Sequence, residues 1–120
     1  MTLPYSFGGN NLSNNQYGFA IQSNSHLEVS GGNISNNSVA GVSLDIGSTA
    51  LFYGTTIESN GVGVSVMGDS YLDLEGCSIN SNTTGVTFDL FGKGLLRGTS
   101  FSANGTDRTT NRGGDYYPKP

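Results

Sequence analysis

Apolar and small or polar residues alternate in short stretches that recur along the chain at a nearly constant interval. One stretch reads Gly41-Val42-Ser43-Leu44, and its counterpart one interval later reads Gly63-Val64-Ser65-Val66. A second alternating stretch, such as Leu72-Asp73-Leu74, precedes a glycine in each interval. Alternation over three to five residues, bounded by Gly, Asn and Ser, predicts short half-buried strands, and nothing recurs at helical spacing over a useful length.

The interval is defined by five glycines that each begin the same phrase. They stand 22, 23, 22 and 22 residues apart, at Gly9, Gly31, Gly54, Gly76 and Gly98. The third residue after each glycine is apolar, which gives the column Leu12, Ile34, Ile57, Ile79 and Phe101. The third residue after that is asparagine, which gives the column Asn15, Asn37, Asn60, Asn82 and Asn104.

A fixed period of this length predicts stacked coils in which equivalent strands pair in parallel, about 4.8 Å apart. We therefore predict an all-β fold, a right-handed parallel β-helix of about four to five coils with three short strands in each coil. The apolar column is expected to form an interior stack. The asparagine column is expected to form a hydrogen-bonded ladder inside a turn. The one extra residue, within Ser38-Val39-Ala40, is expected in a turn, where it leaves the strands in register.

The phrases Gly-x-x-Ile-x-x-Asn and Gly-Val-x-Val, in coils of this length, resemble the right-handed parallel β-helix repeats of the pectate-lyase-like superfamily, including its carbohydrate-binding and sugar-hydrolase repeat proteins. The resemblance covers about residues 8–105. It implies the fold, whereas for function it implies either polysaccharide-acting enzymes or adhesins and tailspikes that only bind or span distance.

The pattern divides the chain into three segments. Residues 1–8 are predicted to be an N-terminal extension that acts as a cap or a donor strand, residues 9–105 the β-helix repeats, and residues 106–120 an irregular C-terminal tail. Neither end has an amphipathic capping helix, so we expect both ends of the solenoid to be open to pairing with another chain. Seven apolar or aromatic residues are candidate interface positions: Leu3, Tyr5, Phe7, Leu51, Tyr53, Tyr71 and Leu95.

Composition and charge narrow the classes of partner that the chain is expected to bind. Nine acids against five Lys and Arg residues give a net charge of −4, which argues against a nucleic acid or an anionic membrane as the partner. The sequence contains neither an apolar run long enough to span a membrane nor a signal-peptide pattern. Its one cysteine, Cys77, lies in an inward column and is expected to be a buried thiol. No metal-ligand spacing recurs, so no metal or cofactor is predicted.

An enzymatic interpretation depends on Asp45 and Asp89, which share a column two coils apart. The resulting separation of roughly 9–10 Å is near that of the acid and base in an inverting glycosidase. The alternative function is therefore a fragment of a polysaccharide-binding or polysaccharide-degrading β-helix enzyme.

The preferred interpretation is a non-enzymatic extracellular structural or adhesion module. It is expected to associate through its ends or sides with copies of itself, or with the rest of a longer solenoid, in a fibre, filament or phage tail appendage. Surface glycans are a further expected partner. The sequence leaves a filament, a trimer and a monomer open.

Overall fold

Three parallel sheets wrap around one apolar interior. The computed structural model describes residues 2–6 and 11–119, with side chains over residues 12–119, and places 16 strands there. Each equivalent strand pairs in parallel with its counterpart one coil later. The predicted all-β solenoid with three strands per coil is confirmed.

The strands follow one another in the fixed order sheet A, sheet B, sheet C. Sheet A contains β1 (Thr2–Ser6), β4 (His26–Ser30), β7 (Thr49–Tyr53), β10 (Tyr71–Glu75), β13 (Lys93–Arg97) and β16 (Asp115–Tyr117). Sheet B contains β2 (Asn11–Ser13), β5 (Asn33–Ser35), β8 (Thr56–Glu58), β11 (Ser78–Asn80) and β14 (Ser100–Ser102). Sheet C contains β3 (Tyr17–Ile21), β6 (Ala40–Leu44), β9 (Val62–Val66), β12 (Thr84–Phe88) and β15 (Thr106–Thr110).

We number the coils 1 to 5, each running from a sheet A strand through the next strands of sheets B and C. The turns between sheets are the A–B, B–C and C–A corners. At the A–B corner the recurring glycine has a positive φ, from 55° at Gly98 to 71° at Gly31. Glycine adopts this left-handed conformation without the steric penalty that a Cβ atom brings, which explains the most regular feature of the sequence.

The apolar column stacks in register through sheet B. Ile34 pairs with Ile57 and Ile57 with Ile79, and all three side chains are fully buried. Leu12 and Phe101, at the two ends of the column, are partly buried against the same core. The extra residue of coil 2 lies where the chain enters β6, and the pairing of Val42 with Val64 is in register beyond it.

The asparagine column lies inside the B–C corner and joins neighbouring coils. Asn60 illustrates the pattern: its Oδ1 accepts hydrogen bonds from the backbone N and the Nδ2 of Asn37, at 2.9 and 3.0 Å. Its own Nδ2 donates to the Ile34 carbonyl at 3.1 Å and to Asn82 Oδ1 at 3.1 Å. Asn37, Asn60 and Asn82 are buried, whereas Asn15 is exposed and Asn104 half-buried. The buried ladder side chains thus satisfy turn groups that water does not reach.

A second ladder, which the sequence analysis missed, lies inside the C–A corner. The Ser48 hydroxyl accepts from the backbone N of Ser25 at 3.2 Å, and the Ser70 hydroxyl accepts from the backbone N of Ser48 at 3.1 Å. Ser48 and Ser70 are buried. Serine is so common in this chain that its column did not stand out.

The predicted limits of the solenoid were wrong at the C-terminal end. The segment predicted as an irregular tail continues the coils, because β15 pairs with β12 and β16 with β13. Its alternation is not apparent in the sequence, since Arg108 stands in register with the interior Val86 and Thr110 with Phe88. At the N-terminal end, β1 pairs with β4 of the same chain, so coil 1 begins before Gly9. Pro4 lies in β1, an edge strand, where a missing N–H is tolerated.

The C-terminal end of the interior is covered by cationic side chains, contrary to the expectation of an open end. The Arg108 guanidinium lies 4.5 Å from the ring centre of Phe101 and 5.5 Å from that of Tyr116. Tyr116 in turn stacks on Phe88 at 5.3 Å, and the Lys119 ammonium lies 4.1 Å from the Tyr116 ring centre. A cation over the face of an aromatic ring is attracted by the ring quadrupole, so these side chains cover the end of the apolar core.

Replacing Asn60 by alanine should lower the free energy of unfolding by about 2–4 kcal/mol, because the N–H groups of Asn37 lose their acceptor while remaining buried. Urea denaturation measures the loss. The matched control is Asn80→Ala, which removes a partly exposed side chain bonded to neighbouring Ser78 and should cost less than about 0.5 kcal/mol. Equal losses in the two variants would contradict a structural role for the ladder.

Candidate interaction surface

The outer side of sheet A carries most of the large and charged side chains that alternation places outside the core. We call it the A-face; it consists of the first, third and fifth residues of each strand. From coil 2 onward these residues are His26, Glu28, Ser30, Thr49, Leu51, Tyr53, Tyr71, Asp73, Glu75, Lys93, Leu95, Arg97, Asp115 and Tyr117.

Charged groups on the A-face pair across neighbouring coils. Arg97 Nη2 lies 2.8 Å from Asp73 Oδ2 and 3.4 Å from Glu75 Oε2, which joins coils 4 and 5. The hydrogen bond that Arg97 donates to the Asp73 carboxylate raises the pKa of Arg97 above its ordinary value. Partial burial raises the pKa of the Tyr71 hydroxyl, and the nearby Asp73 carboxylate raises it further, so this phenol stays neutral.

A cavity of about 230 Å³ opens on the A-face between two tyrosines. Tyr71 and Tyr117 flank it, and Leu95 contributes to its lining. Lys93 and Asp115 also line the cavity and carry opposite charges. Aromatic walls with a few polar groups are typical of a small-ligand site.

The C–A corner adjoins the A-face and has an unusual backbone. In every coil two consecutive residues of this corner have positive φ. Three of these ten residues are bulky and apolar: Ile46 at 54°, Leu90 at 48° and Phe91 at 65°. Their exposures are 53%, 41% and 60%. A β-branched or bulky residue with positive φ is an outlier, because its Cβ atom crowds the backbone. These three side chains are therefore conspicuous both in conformation and in exposure.

Charge is distributed unevenly along the solenoid. All five Lys and Arg residues lie at or after Lys93, whereas seven of the nine acids precede Lys93, and six of those seven also precede Asp89. Residues 1–88 therefore carry a net charge of −6 from six acids, and residues 89–120 carry +2 from five cations and three acids. The rod is acidic over most of its length and basic at its C-terminal end.

Asp45 and Asp89 each stabilise a turn. Asp45 Oδ1 accepts from the backbone N of Ile46, and Asp89 Oδ1 from that of Leu90, both at 2.8 Å. Arg112 also holds Asp89 through two hydrogen bonds, Nε to Oδ1 at 2.8 Å and Nη2 to Oδ2 at 2.5 Å. A cavity of about 410 Å³ on sheet C includes Asp89 in its lining but not Asp45. The two carboxylates share a column, and of the two only Asp89 lines this cavity.

The candidate interface residues are only partly those named from the sequence. Tyr53 and Tyr71 are exposed, and Leu51 and Leu95 are half-buried on the A-face. The side chains of Leu3 and Tyr5, and all of Phe7, lie outside the described residues. Sequence reasoning missed Ile46, Leu90, Phe91 and Tyr117. A large apolar residue within a turn segment was the available signal for the first three.

The remaining chemically active side chains have ordinary surroundings. Cys77 is buried, as predicted, with its Sγ 3.4 Å from the Phe52 carbonyl, and burial raises the pKa of its thiol. The His26 ring is hydrogen-bonded to Thr49 on the A-face. Over residues 2–6 and 11–119, no cluster of three or more His, Cys, Asp or Glu side chains could hold a metal ion. The same residues include no helix long and apolar enough to span a membrane.

Comparison with known proteins gives one match. The sequence model of a family described as "Right handed beta helix region" matches residues 5–115. The match extends through β15, in agreement with the strands seen there. A search of curated proteins and a search of solved structures each gave no significant match.

Replacing Arg112 by glutamine should raise the pKa of Asp89, since the Arg112 hydrogen bonds hold that pKa below its ordinary value. A carboxyl pKa that folding lowers contributes stability above the unfolded-state pKa, and that contribution is lost as the pH falls through the folded-state pKa. The stability of the Arg112 variant should therefore depend less on pH in the acidic range. Carboxyl NMR titration measures the change, and Arg97→Gln, which leaves Asp89 untouched, is the control. An unchanged Asp89 pKa in the Arg112 variant would show that the pair does not persist in solution.

Proposed function

The chain belongs to the right-handed beta helix family, and from that premise we propose that it is a non-enzymatic structural module that assembles through one side of its solenoid. The setting we propose is extracellular: a fibre, a filament, a phage tail appendage or an adhesive surface. The partners are other copies of the chain or the rest of a longer solenoid.

The distribution of exposed apolar side chains is the observation that carries this proposal. Eight large apolar or aromatic side chains are exposed within the described residues, and six of them lie on the A-face or the C–A corner: Ile46, Tyr53, Tyr71, Leu90, Phe91 and Tyr117. Apolar and aromatic side chains that gather on one side of a protein, with charged groups among them, are typical of a protein–protein contact, and Tyr residues are enriched at such contacts.

The C-terminal end is less suited to assembly than the side. Stacking a further coil against coil 5 would bury the guanidinium of Arg108, which lies over Phe101 and Tyr116. Burying a charge without a partner is costly. Lateral contact through the A-face avoids that cost.

The roles of Asp45 and Asp89 support the non-enzymatic part of the proposal. Each carboxylate caps the turn that follows it, and Arg112 occupies both oxygens of Asp89. A general acid or base needs a free oxygen facing the substrate. We therefore assign these acids to turn stability rather than to glycoside hydrolysis.

Light scattering and sedimentation of the purified chain should give a mass above that of one chain, with dissociation on dilution. The double variant Tyr53→Ser/Tyr117→Ser should weaken association by about 1–2 kcal/mol for each ring removed, because both rings are exposed in the monomer and buried in the contact. The matched control is Tyr17→Ser, an exposed tyrosine of β3 in sheet C. A wild-type chain that stays monomeric at all accessible concentrations would overturn the proposal.

A second candidate function, polysaccharide binding, is favoured by the A-face cavity. Tyr71 and Tyr117 can stack on the faces of a pyranose ring, while Lys93 and Asp115 can form hydrogen bonds with ring hydroxyls. This use of the surface needs no second copy of the chain.

Titrating the protein with oligosaccharides of plant and bacterial cell walls, followed by NMR chemical shifts, tests this second function. Shifts should concentrate at Tyr71, Leu95 and Tyr117, and Tyr117→Ala should abolish them by removing one wall of the cavity. Tyr17→Ala, on sheet C, should bind as the wild type does. Saturable shifts confined to other sheets would contradict a sugar site on the A-face.

A further inference from the structure

Two positions of the asparagine ladder are followed directly by glycine. They are Asn60-Gly61 in coil 3 and Asn104-Gly105 in coil 5, and the sequence contains no other Asn-Gly pair. Glycine has no side chain to shield or restrict its backbone, so its amide nitrogen can reach the preceding asparagine side chain and displace the amide group. The dipeptide is chemically able to deamidate without an enzyme, and the fold determines whether each of the two pairs reacts.

In coil 3 the fold blocks this reaction. Asn60 is 4% exposed, and its Nδ2 donates to the Ile34 carbonyl and to Asn82 Oδ1. The Gly61 N–H, which would have to lose its proton, donates to the Asn37 carbonyl at 3.2 Å. The flanking strands β8 and β9 each pair with a neighbour on both sides, so this corner opens only when the interior of the solenoid opens.

In coil 5 the same groups are held from one side only. Asn104 is half-buried and Gly105 is exposed. The Gly105 N–H donates to the Asn82 carbonyl at 3.0 Å, but the flanking strands β14 and β15 each lie at the edge of their sheet. Exposed backbone hydrogen bonds with few packed neighbours are typical of segments that open locally at a small free-energy cost. The Gly105 nitrogen is therefore released far more often than the Gly61 nitrogen.

The hydrogen bonds of Asn104 also end differently from those of the ladder positions before it. Its Nδ2 donates to the Ile79 carbonyl and to Asp107 Oδ1, both at 3.0 Å. In coils 2–4 the second acceptor is the asparagine of the next coil, so Asp107 takes the place of that asparagine and terminates the ladder. A carboxylate at position 104 would face the Asp107 carboxylate with no hydrogen to share, and like charges at that distance repel.

We propose that Asn104-Gly105 is a site of spontaneous deamidation, and that the modification releases the B–C corner of coil 5. When the corner opens, the Gly105 nitrogen loses its proton to solvent and attacks Cγ of Asn104. A five-membered succinimide ring closes as the Cγ–Nδ2 bond breaks, and the amide leaves as ammonia with the bonding electrons and a proton from solvent. Water, the one co-reactant, then opens the ring to an aspartate or an isoaspartate.

Either product removes a contact that holds this corner in place. The side chain at position 104 loses the donor that bonded Ile79 and Asp107, and an isoaspartate also lengthens the main chain by one carbon. The aspartate product keeps the acceptor for the Asn82 N and Nδ2, which lie 3.0 and 3.1 Å from Asn104 Oδ1. The change is therefore confined to the C-terminal coil. This inference goes beyond the proposed assembly and needs no partner.

The first test compares the two Asn-Gly pairs within one folded molecule. Wild-type protein is incubated at mildly alkaline pH and digested at intervals, and mass spectrometry follows the peptides that contain Asn60 and Asn104. Asn104 should deamidate at least tenfold faster than Asn60, whereas in urea, where both corners are open, the two rates should become similar. Similar rates in the folded protein, or an unmodified Asn104 after the urea-unfolded chain has fully reacted, would overturn the proposed site.

The second test measures what the modification does to coil 5. Asn104→Asp makes the aspartate product directly, and hydrogen exchange of the β14 and β15 amides should become at least tenfold faster while β8 and β9 exchange as in the wild type. The matched control is the double variant Asn104→Asp/Asp107→Asn, in which an amide can donate to the new carboxylate and most of the protection should return. Unchanged exchange in β14 and β15 would overturn the release of the corner, and lost protection in every coil would overturn its confinement to coil 5.

Discussion

The asparagine ladder is the interaction on which the remaining structure depends, because it fixes one coil against the next at a corner where backbone groups are buried. Asn60 accepts from coil 2 and donates both to coil 2 and to coil 4, so one amide ties three coils together. A coil displaced by one residue would break these bonds and turn every interior side chain to the outside. The in-register stack of Ile34, Ile57 and Ile79 and the exposed columns of the A-face both follow from that constraint.

Much of this arrangement could be predicted because spacing alone determines which residues share a column. The sequence period placed Cys77 inside and put Ile34, Ile57 and Ile79 in one interior stack, and the burial and strand register agree. The C-terminal coil could not be found this way. Its inward positions hold residues such as Arg108, since a coil with a neighbour on one side only does not need a fully apolar side chain there. Arg112, which pairs with Asp89, lies in this same stretch, so the sequence did not predict this ion pair either.

Turn conformation was the other feature that the sequence did not disclose. The period predicts that a turn occurs between sheets C and A, but it does not predict that two successive residues there adopt positive φ in every coil. Serine, asparagine, glycine and aspartate accept that conformation, so most coils are locally consistent. Without knowledge of the backbone, Ile46 or Phe91 reads as one more apolar residue that breaks the alternation. The structure shows instead that each stands at a sterically disfavoured position.

That inconsistency is informative because the rest of the chain is so consistent: glycine at the A–B corner, asparagine inside the B–C corner and serine inside the C–A corner each suit their place. Local violations in an otherwise consistent sequence tend to mark functional positions. The strain at the C–A corner is present whether or not a partner is bound, so it does not oppose association. Burying Ile46, Leu90 and Phe91 would contribute about 1.5–3 kcal/mol for each side chain if burial were complete. Even a partial gain of that size exceeds the modest contribution of the exposed ion pairs. Apolar contact would therefore supply most of the affinity of any assembly that covers this corner.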